Sequence, residues 1–278
     1  MSLFEDLALE LQIGPSQRGE MVHSVLEDYV QALLDGSPAS PESLQSIMSR
    51  VLSEDINPAW LPHLWERDRT AMEQAIVGVI AADQRDADDG WQYLAPEAGF
   101  GPHDSRAAYG YQPVPLTLPD GSTISFQGKV DRVDKNSDGR VRITDYKTGK
   151  KTRFGNITQD APTAGGTKFQ LPVYGLFAEQ FRDNQDSSVE ARYWFIGQEQ
   201  SITGYQVDEA VQEKFRHDVA IVLAGIRAGV FPHIPKDSSF LTYTSVAGKS
   251  SVDQTWERLR TDHTIRKFPM LTEATHGK

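Results

Sequence analysis

The apolar residues of this chain first change from a helical to a strand-like period near residue 112, and that change constrains the fold more than any other feature. Before it, Val22, Val25, Leu26, Tyr29, Val30, Leu33 and Leu34 recur at helical spacing. This predicts a helix over about 17–34, stopped by Gly36-Ser37-Pro38. Ser40 as N-cap and Pro41 at the first helical position predict a second helix to about 53. A third is predicted from about 58 to 85, and "LAPEAGFGPHDSRAAYG" (94–110) reads as a loop. After residue 112, "VPLTL", "STISFQGKVDRV" and "GRVRITDYK" alternate or are rich in β-branched residues, which predicts three strands with a turn at "DKNSDG". A long Gly/Thr/Pro-rich loop (150–167) follows, then a helix (169–181), a strand (189–197) and a helix (208–229). The chain from 230 reads as irregular, with a short helix near Gln254–Arg260. Helices followed by mixed helices and strands give an α/β layer architecture around a mixed sheet. We read one domain over 1–278: a helical part (1–110), an α/β core (111–235) and an irregular tail (236–278).

The end of the third strand, "ITDYKTGK" (143–150), is the first candidate for chemistry. Strand side chains alternate faces, so Asp145 and Lys147 share one and Tyr146 takes the other. Thr148-Gly149 ends the strand and leaves the pair beside a loop. A hard cation wants several carboxylate oxygens, and the preceding strand supplies Asp131 in "GKVDRVD". Asp131 and Asp145 share a face only if the connection between the strands has odd length or contains a bulge. His23 and Glu27 on the first helix, and Gln170 and Tyr174 on the fourth, are i, i+4 pairs that project together. Each pair alone is ordinary helix surface or core boundary.

Composition narrows the classes. No cysteine is present, which excludes disulfides, thiolate metal sites and Fe–S clusters. The formal charge of −11, from 28 basic and 39 acidic residues, argues against nonspecific coating of nucleic acid, which needs Lys and Arg on phosphates. It leaves room for a local basic patch: Lys150, Lys151 and Arg153, with Lys168 further along, form a candidate DNA-binding loop, or a solvated turn. No run of 18 apolar residues suggests a membrane span, and no basic-then-apolar leader is visible in the first 30 residues; both point to a cytoplasmic protein. "AGKSS" (247–251) lacks the first glycine of a phosphate-binding loop, Tyr243 standing in its place, so no nucleotide site is expected. "DKNSDGRVRITD" (134–145) matches an EF-hand loop in spacing, but its flanks read as strands.

"RGEMVHSVLE", "GKVDRVD", "ITDYKTGK" and "QLPVY", in that order, resemble the RecB/AddB-type nucleases of the PD-(D/E)XK superfamily over about residues 18–235. The resemblance implies a restriction-endonuclease-like core and DNA phosphodiester hydrolysis of exonuclease type with Mg²⁺ or Mn²⁺, in repair or recombination, beside a helicase partner. Asp131 and Asp145 would ligate the metal, with His23 and the Tyr146 carbonyl completing the protein's share. Lys147 would be the catalytic lysine, Gln170 and Tyr174 would support the site and the DNA, and Glu27 and Arg132 would stand behind them. Many relatives carry four cysteines around an Fe–S cluster; here Thr244 and Ser250 stand where two would be expected, so no cluster is expected. The alternative is a nuclease-fold protein that grips DNA or a helicase without cutting.

Overall fold

The computed structural model describes residues 11–54, 56–102, 109–154, 156–184, 186–197, 200–230 and 249–263. Three helices come first: α1 (Pro15–Leu34), α2 (Pro41–Glu54) and α3 (Pro62–Asp88). Strands β1 (Trp91–Phe100), β2 (Tyr109–Tyr111), β3 (Val114–Thr117), β4 (Thr123–Phe126), β5 (Gly128–Asn136) and β6 (Val141–Lys147) follow. Then come α4 (Gln170–Ala178), β7 (Val189–Phe195), β8 (Ser201–Gln206), α5 (Glu209–Arg227) and α6 (Lys249–Leu259). The expected α/β class with a central mixed sheet is what forms. Six strands run in the order β2-β1-β5-β6-β7-β8, with β1/β2 and β6/β7 parallel and the other neighbours antiparallel.

Each face of the sheet has its own core. On one, Val133, Ile143, Ala191, Tyr193 and Phe195 pack beneath α4 and α5, through Phe177 and Phe215. On the other, Tyr146, Trp194 and Ile196 meet Met21, Val22, Val25, Met72 and Ile76 of α1 and α3. A fully buried side chain of this size stabilises by about 1.5–3 kcal/mol, so the two layers clamp β6 and β7 from both sides. The short helix α4 is apolar nearly all round and closely packed. A Cβ on its Gly175 would lie 2.6 Å from a Val207 methyl.

Three expectations are corrected. The 94–110 segment is not a loop throughout: 91–100 is an interior strand between β2 and β5. Pro96 fits because β1 pairs with β2 only from Ala98 onward, so no partner waits for its missing N–H. "STISFQGKVDRV" is two strands in two sheets, since β4 pairs only with β3 and the chain enters the central sheet at Gly128, packed on the Phe100 ring. The tail contains α6, which begins at Lys249, earlier than the short helix expected there. Thr244 lies outside the described residues, as does the side chain of Ser250.

Candidate active site

The site forms at the C-terminal ends of β6 and β7, where α1 and α4 arrive from opposite layers. The ladder pairs Arg132 with Thr144 and Val133 with Ile143 and closes at Lys135 and Val141, with five residues between that last pair, an odd number. Extended by one step, this register sets Asp131 opposite Asp145, so the condition attached to that pair is met. The strands part there: Asp131 Oδ2 accepts the Tyr146 N–H at 2.6 Å. The Tyr146 carbonyl accepts from His23 Nε2 at 3.1 Å. One peptide-bonded residue thus ties β5 to β6 and β6 to α1.

The G-x-x-x-H spacing in α1 has a steric reason. Gly19 and His23 lie one turn apart on the same helix face. A Cβ on Gly19 would sit 3.3 Å from Thr148 Oγ1, so glycine admits the end of β6 close to the helix. His23 then reaches past it to Asp131, with Nδ1 3.4 Å from Oδ1. Because a carbonyl can only accept, Nε2 carries the proton, and in the neutral ring Nδ1 and Oδ1 face each other as two acceptors. Burial lowers the His23 pKa, but the hydrogen bond and charge of Asp131 more than offset this and raise it.

Glu97, absent from the sequence reading, completes this group. The pairs Pro96↔Arg132 and Ala98↔Val130 place Glu97 opposite Asp131. Its φ of 44° turns the backbone into the left-handed region, uncommon for a non-glycine residue. One ligand atom each from His23, Glu97 and Asp131 lie within 4.8 Å of one another. Burial pushes the Glu97 carboxyl up to about 7, with Asp131 adding to the shift and Lys129 opposing it. Glu27 is half-buried beside Lys129 and His23, and its pKa too is raised, chiefly by burial.

Asp145 is outside that trio. It is 2 % exposed, and burial, then the charge of Asp131, push it up to about 7 against the opposing pull of Lys147. Its Oδ1 accepts from Gln170 Nε2 at 2.7 Å and lies 3.3 Å from Tyr174 Oη, while Oδ2 pairs with the Lys147 ammonium. Gln170 Oε1 accepts from Lys147 Nζ at 3.3 Å and from Tyr193 Oη at 3.1 Å. Tyr174 Oη donates to the Lys129 carbonyl at 2.8 Å. The amide of Gln170 therefore holds acid and lysine together, which is why it stands at the first position of α4, where no preceding helical turn covers it.

The donor set suits a hard divalent cation. Glu97 Oε2 and Asp145 Oδ2 are buried oxygens partnered by the ammonium groups of Lys129 and Lys147. Three acids converge on two lysines and one imidazole, and carboxylate-rich oxygen sites are what Mg²⁺ and Mn²⁺ take.

The comparison with protein families decides the membership: the PD-(D/E)XK nuclease superfamily model matches residues 4–239. The chain belongs to the PD-(D/E)XK nuclease superfamily. Among curated proteins it is similar to subunits of the ATP-dependent helicase/deoxyribonuclease of several bacteria. The protein of Clostridium novyi is 25% identical over 156 residues, 50% of this chain and 13% of that protein. That of Thermoanaerobacter sp. (strain X514) is 25% identical over 137 residues, 44% of this chain and 11% of that protein. That of Clostridioides difficile is 35% identical over 63 residues, 20% of this chain and 6% of that protein. These matches span about a tenth of the relatives' length.

The remaining expected residues of this superfamily member are dispersed. Arg132 is fully buried behind the site, where its guanidinium donates to the Tyr146 hydroxyl at 2.6 Å. Of the basic patch, Lys150 and Lys151 are exposed beyond β6. Lys168 lies on the α4 side, its ammonium 4.7 Å from the centre of the Phe154 ring. The side chain of Arg153 lies outside the described residues. Among the described residues no helix is long and apolar enough to cross a membrane.

Proposed function

We propose that this chain is a divalent-metal-dependent deoxyribonuclease that hydrolyses DNA phosphodiesters, working in DNA repair or recombination with a helicase partner. The observation that carries the reading is the convergence of His23, Glu97 and Asp131 within 4.8 Å next to the Asp145–Lys147 pair. His23, Glu97 and Asp131 would hold Mg²⁺ or Mn²⁺, with Asp145 as the neighbouring carboxylate. The Tyr146 carbonyl, given a ligand role by the resemblance, accepts from His23 Nε2 and so orients the ring, and its second lone pair is left for the cation. When bound, such a cation supplies Lewis acidity and a bound water of lowered pKa.

The chain's own residues do the rest. Lys147, about a quarter exposed, presents an ammonium to the scissile phosphate, orients the attacking water and stabilises charge that develops on the phosphoryl oxygens. Gln170 fixes that ammonium and the Asp145 carboxylate through the two ends of one amide, and the Tyr174 hydroxyl accepts from Gln170 Nε2 and holds the amide in place. Lys129 balances Glu97 until a cation replaces it. The similarity to helicase/deoxyribonuclease subunits supports DNA as substrate and a helicase as partner, and Lys150, Lys151, Arg153 and Lys168 are the basic residues offered to the substrate.

The test is digestion of plasmid and end-labelled oligonucleotides with Mg²⁺, Mn²⁺ or EDTA. Cleavage is expected with either metal and none with EDTA. Cleavage that persists in EDTA, or none with any divalent metal, overturns the reading in favour of a protein that grips without cutting.

A further inference from the structure

A cavity of about 820 Å³ opens beside the site, between α1, α3 and the ends of β6 and β7. Two of its lining residues, Val22 and Thr148, are the chain neighbours of His23 and Lys147, so it opens at the same strand ends as the site, on the α1/α3 side of the sheet. Its rim is cationic in a chain whose formal charge is −11. Arg18, Arg67 and Lys150 line it against a single acid, Asp68. Asp68 is 4 % exposed and bridges the two arginines. Its Oδ2 lies 3.2 Å from Arg18 Nη2, and its Oδ1 accepts from Arg67 Nε and Nη2 at 3.1 and 3.0 Å. Each guanidinium carries five N–H donors, so Asp68 fixes both in place and leaves donors to spare.

We infer that this cavity seats a single strand of DNA next to the scissile phosphate, with Arg18, Arg67 and Lys150 on successive phosphates. The inference rests on the nuclease reading above for the identity of the strand; the cavity, its charge and its position stand apart from it. A pocket of this size between two helices admits a few nucleotides of one strand and excludes a duplex. Among the described residues, the rest of its wall mixes aliphatic Val22, Met72, Ala75 and Ile196 with polar Gln74, Thr148 and Gln200, and no aromatic ring lines it. Bases therefore meet no stacking platform, and binding must be carried by phosphate contacts, hence indifferent to sequence and steep in salt.

The experiment measures anisotropy of a labelled oligothymidylate with the full chain in Ca²⁺, across a salt series, with a labelled duplex alongside. Two variants are compared with wild type. Arg18→Gln/Arg67→Gln/Asp68→Asn removes both cations together with the acid they neutralise, so no buried charge is left alone. Ala71→Trp fills the pocket from an exposed position of α3. The triple variant is expected to bind single strand at least tenfold more weakly, with the slope of log K against log salt reduced by about 1.4, two contacts at about 0.7 each. Ala71→Trp is expected to weaken binding with the slope unchanged, and duplex binding should move little in either. Single-strand affinity unchanged in both variants, in a wild type that binds and cuts, overturns the cavity's role and leaves the nuclease reading intact. Weakened binding in a wild type that never cuts supports the cavity and overturns the nuclease reading. A wild type that binds no single strand overturns the inference outright.

Discussion

Two regions of this molecule bury charge a few residues apart on the same strands, and they do so in opposite ways. Between the sheet and α3, Arg132, Arg142 and Arg192 face Asp83, Asp86 and Asp134. Arg132 meets Asp83 at 2.8 Å and Asp134 at 3.0 Å, and Arg142 meets Asp86 at 2.7 Å and Asp134 at 3.2 Å. Arg192 adds a longer contact to Asp86 at 3.7 Å. Three cations meet three anions, roofed by aromatic rings, with the Arg142 guanidinium 4.0 Å from the Trp91 ring centre. At the strand ends the count balances only while His23 is protonated: Glu97, Asp131 and Asp145 share two lysines and one histidine, and both Glu97 and Asp145 are pushed up to about 7 chiefly by burial. The closed network holds the sheet to its helix layer. The open one stores unfavourable acid–acid contact that a cation would relieve. Stability and reactivity are thus separated by one alternation of strand faces, Arg132 and Tyr146 inward to α3, Asp145 and Lys147 toward α4.

The comparison breaks most visibly at Arg132. Replacing it by methionine leaves Asp83 buried without its cation, and losing one partner of a buried pair costs about 3–5 kcal/mol. Urea unfolding of Arg132→Met should show a loss of that size, with the site affected only through Tyr146. A loss below about 1 kcal/mol would mean that the network is not the clamp described here. The opposite behaviour is expected at Asp145. Asp145→Asn should lower cleavage by about 10²–10³-fold, the range seen for removing one transition-state contact. It should melt no earlier than wild type, because an uncharged side chain no longer has to be desolvated. Lys147→Ala should match it in activity. An Asp145→Asn protein that unfolds more easily would place that residue with the structural network.

Glu97→Gln sharpens the same contrast. It keeps the shape at the kinked backbone while removing a carboxylate, and Mn²⁺ binding followed by calorimetry should weaken about 10–100-fold, comparable to losses around established metal sites. Unchanged metal affinity would return the site to the set without Glu97. The smallest effect belongs to neither region. Asp208 caps α5, accepting from the Val211 N–H at 2.9 Å, and this backbone hydrogen bond holds its pKa below the usual carboxylate range. Asp208→Ala should cost about 1 kcal/mol. Because the folded pKa is the depressed one, that contribution is present above the unfolded pKa and lost as pH falls through the folded value. The difference between wild type and variant in thermal melts should therefore shrink under acid.

Much of the site was legible because its residues sit on regular elements. His23 and Glu27, Gln170 and Tyr174 follow helical spacing, and Asp145 and Lys147 follow strand alternation, so their shared faces could be read directly. Glu97 was hidden by its neighbours. Pro96, Gly99 and Gly101 read as breakers, yet β1 carries the proline where it has no second partner strand and bends at a register shift between Tyr93 and Ala95. A signal was available in "APEAGF": an acid set among small and apolar residues, with no polar neighbour to suggest exposure. The break between β4 and β5 was hidden for the converse reason, an unbroken alternation that continues across a change of sheet. The arginine network escaped because charged residues within a strand read as solvent-facing, and their partners Asp83 and Asp86 lie in the polar run "DQRDADDG" (83–90), whose residues 83–88 form the last turns of α3.

The backbone of Tyr146, between Asp145 and Lys147, has a consequence for how this site drifts over evolutionary time. Its N–H steadies Asp131 and its carbonyl steadies His23, so both contacts survive any codon at position 146 other than proline. The phenol ring answers to a separate constraint, the arginine beneath it. Conventional mutagenesis would therefore score position 146 as a packing residue and miss its part in the site. Replacing single amide linkages with esters on either side of residue 146, by semisynthesis, would expose it: removing the N–H, or weakening the carbonyl as an acceptor, should disturb Asp131 or His23 while leaving every side chain as it was.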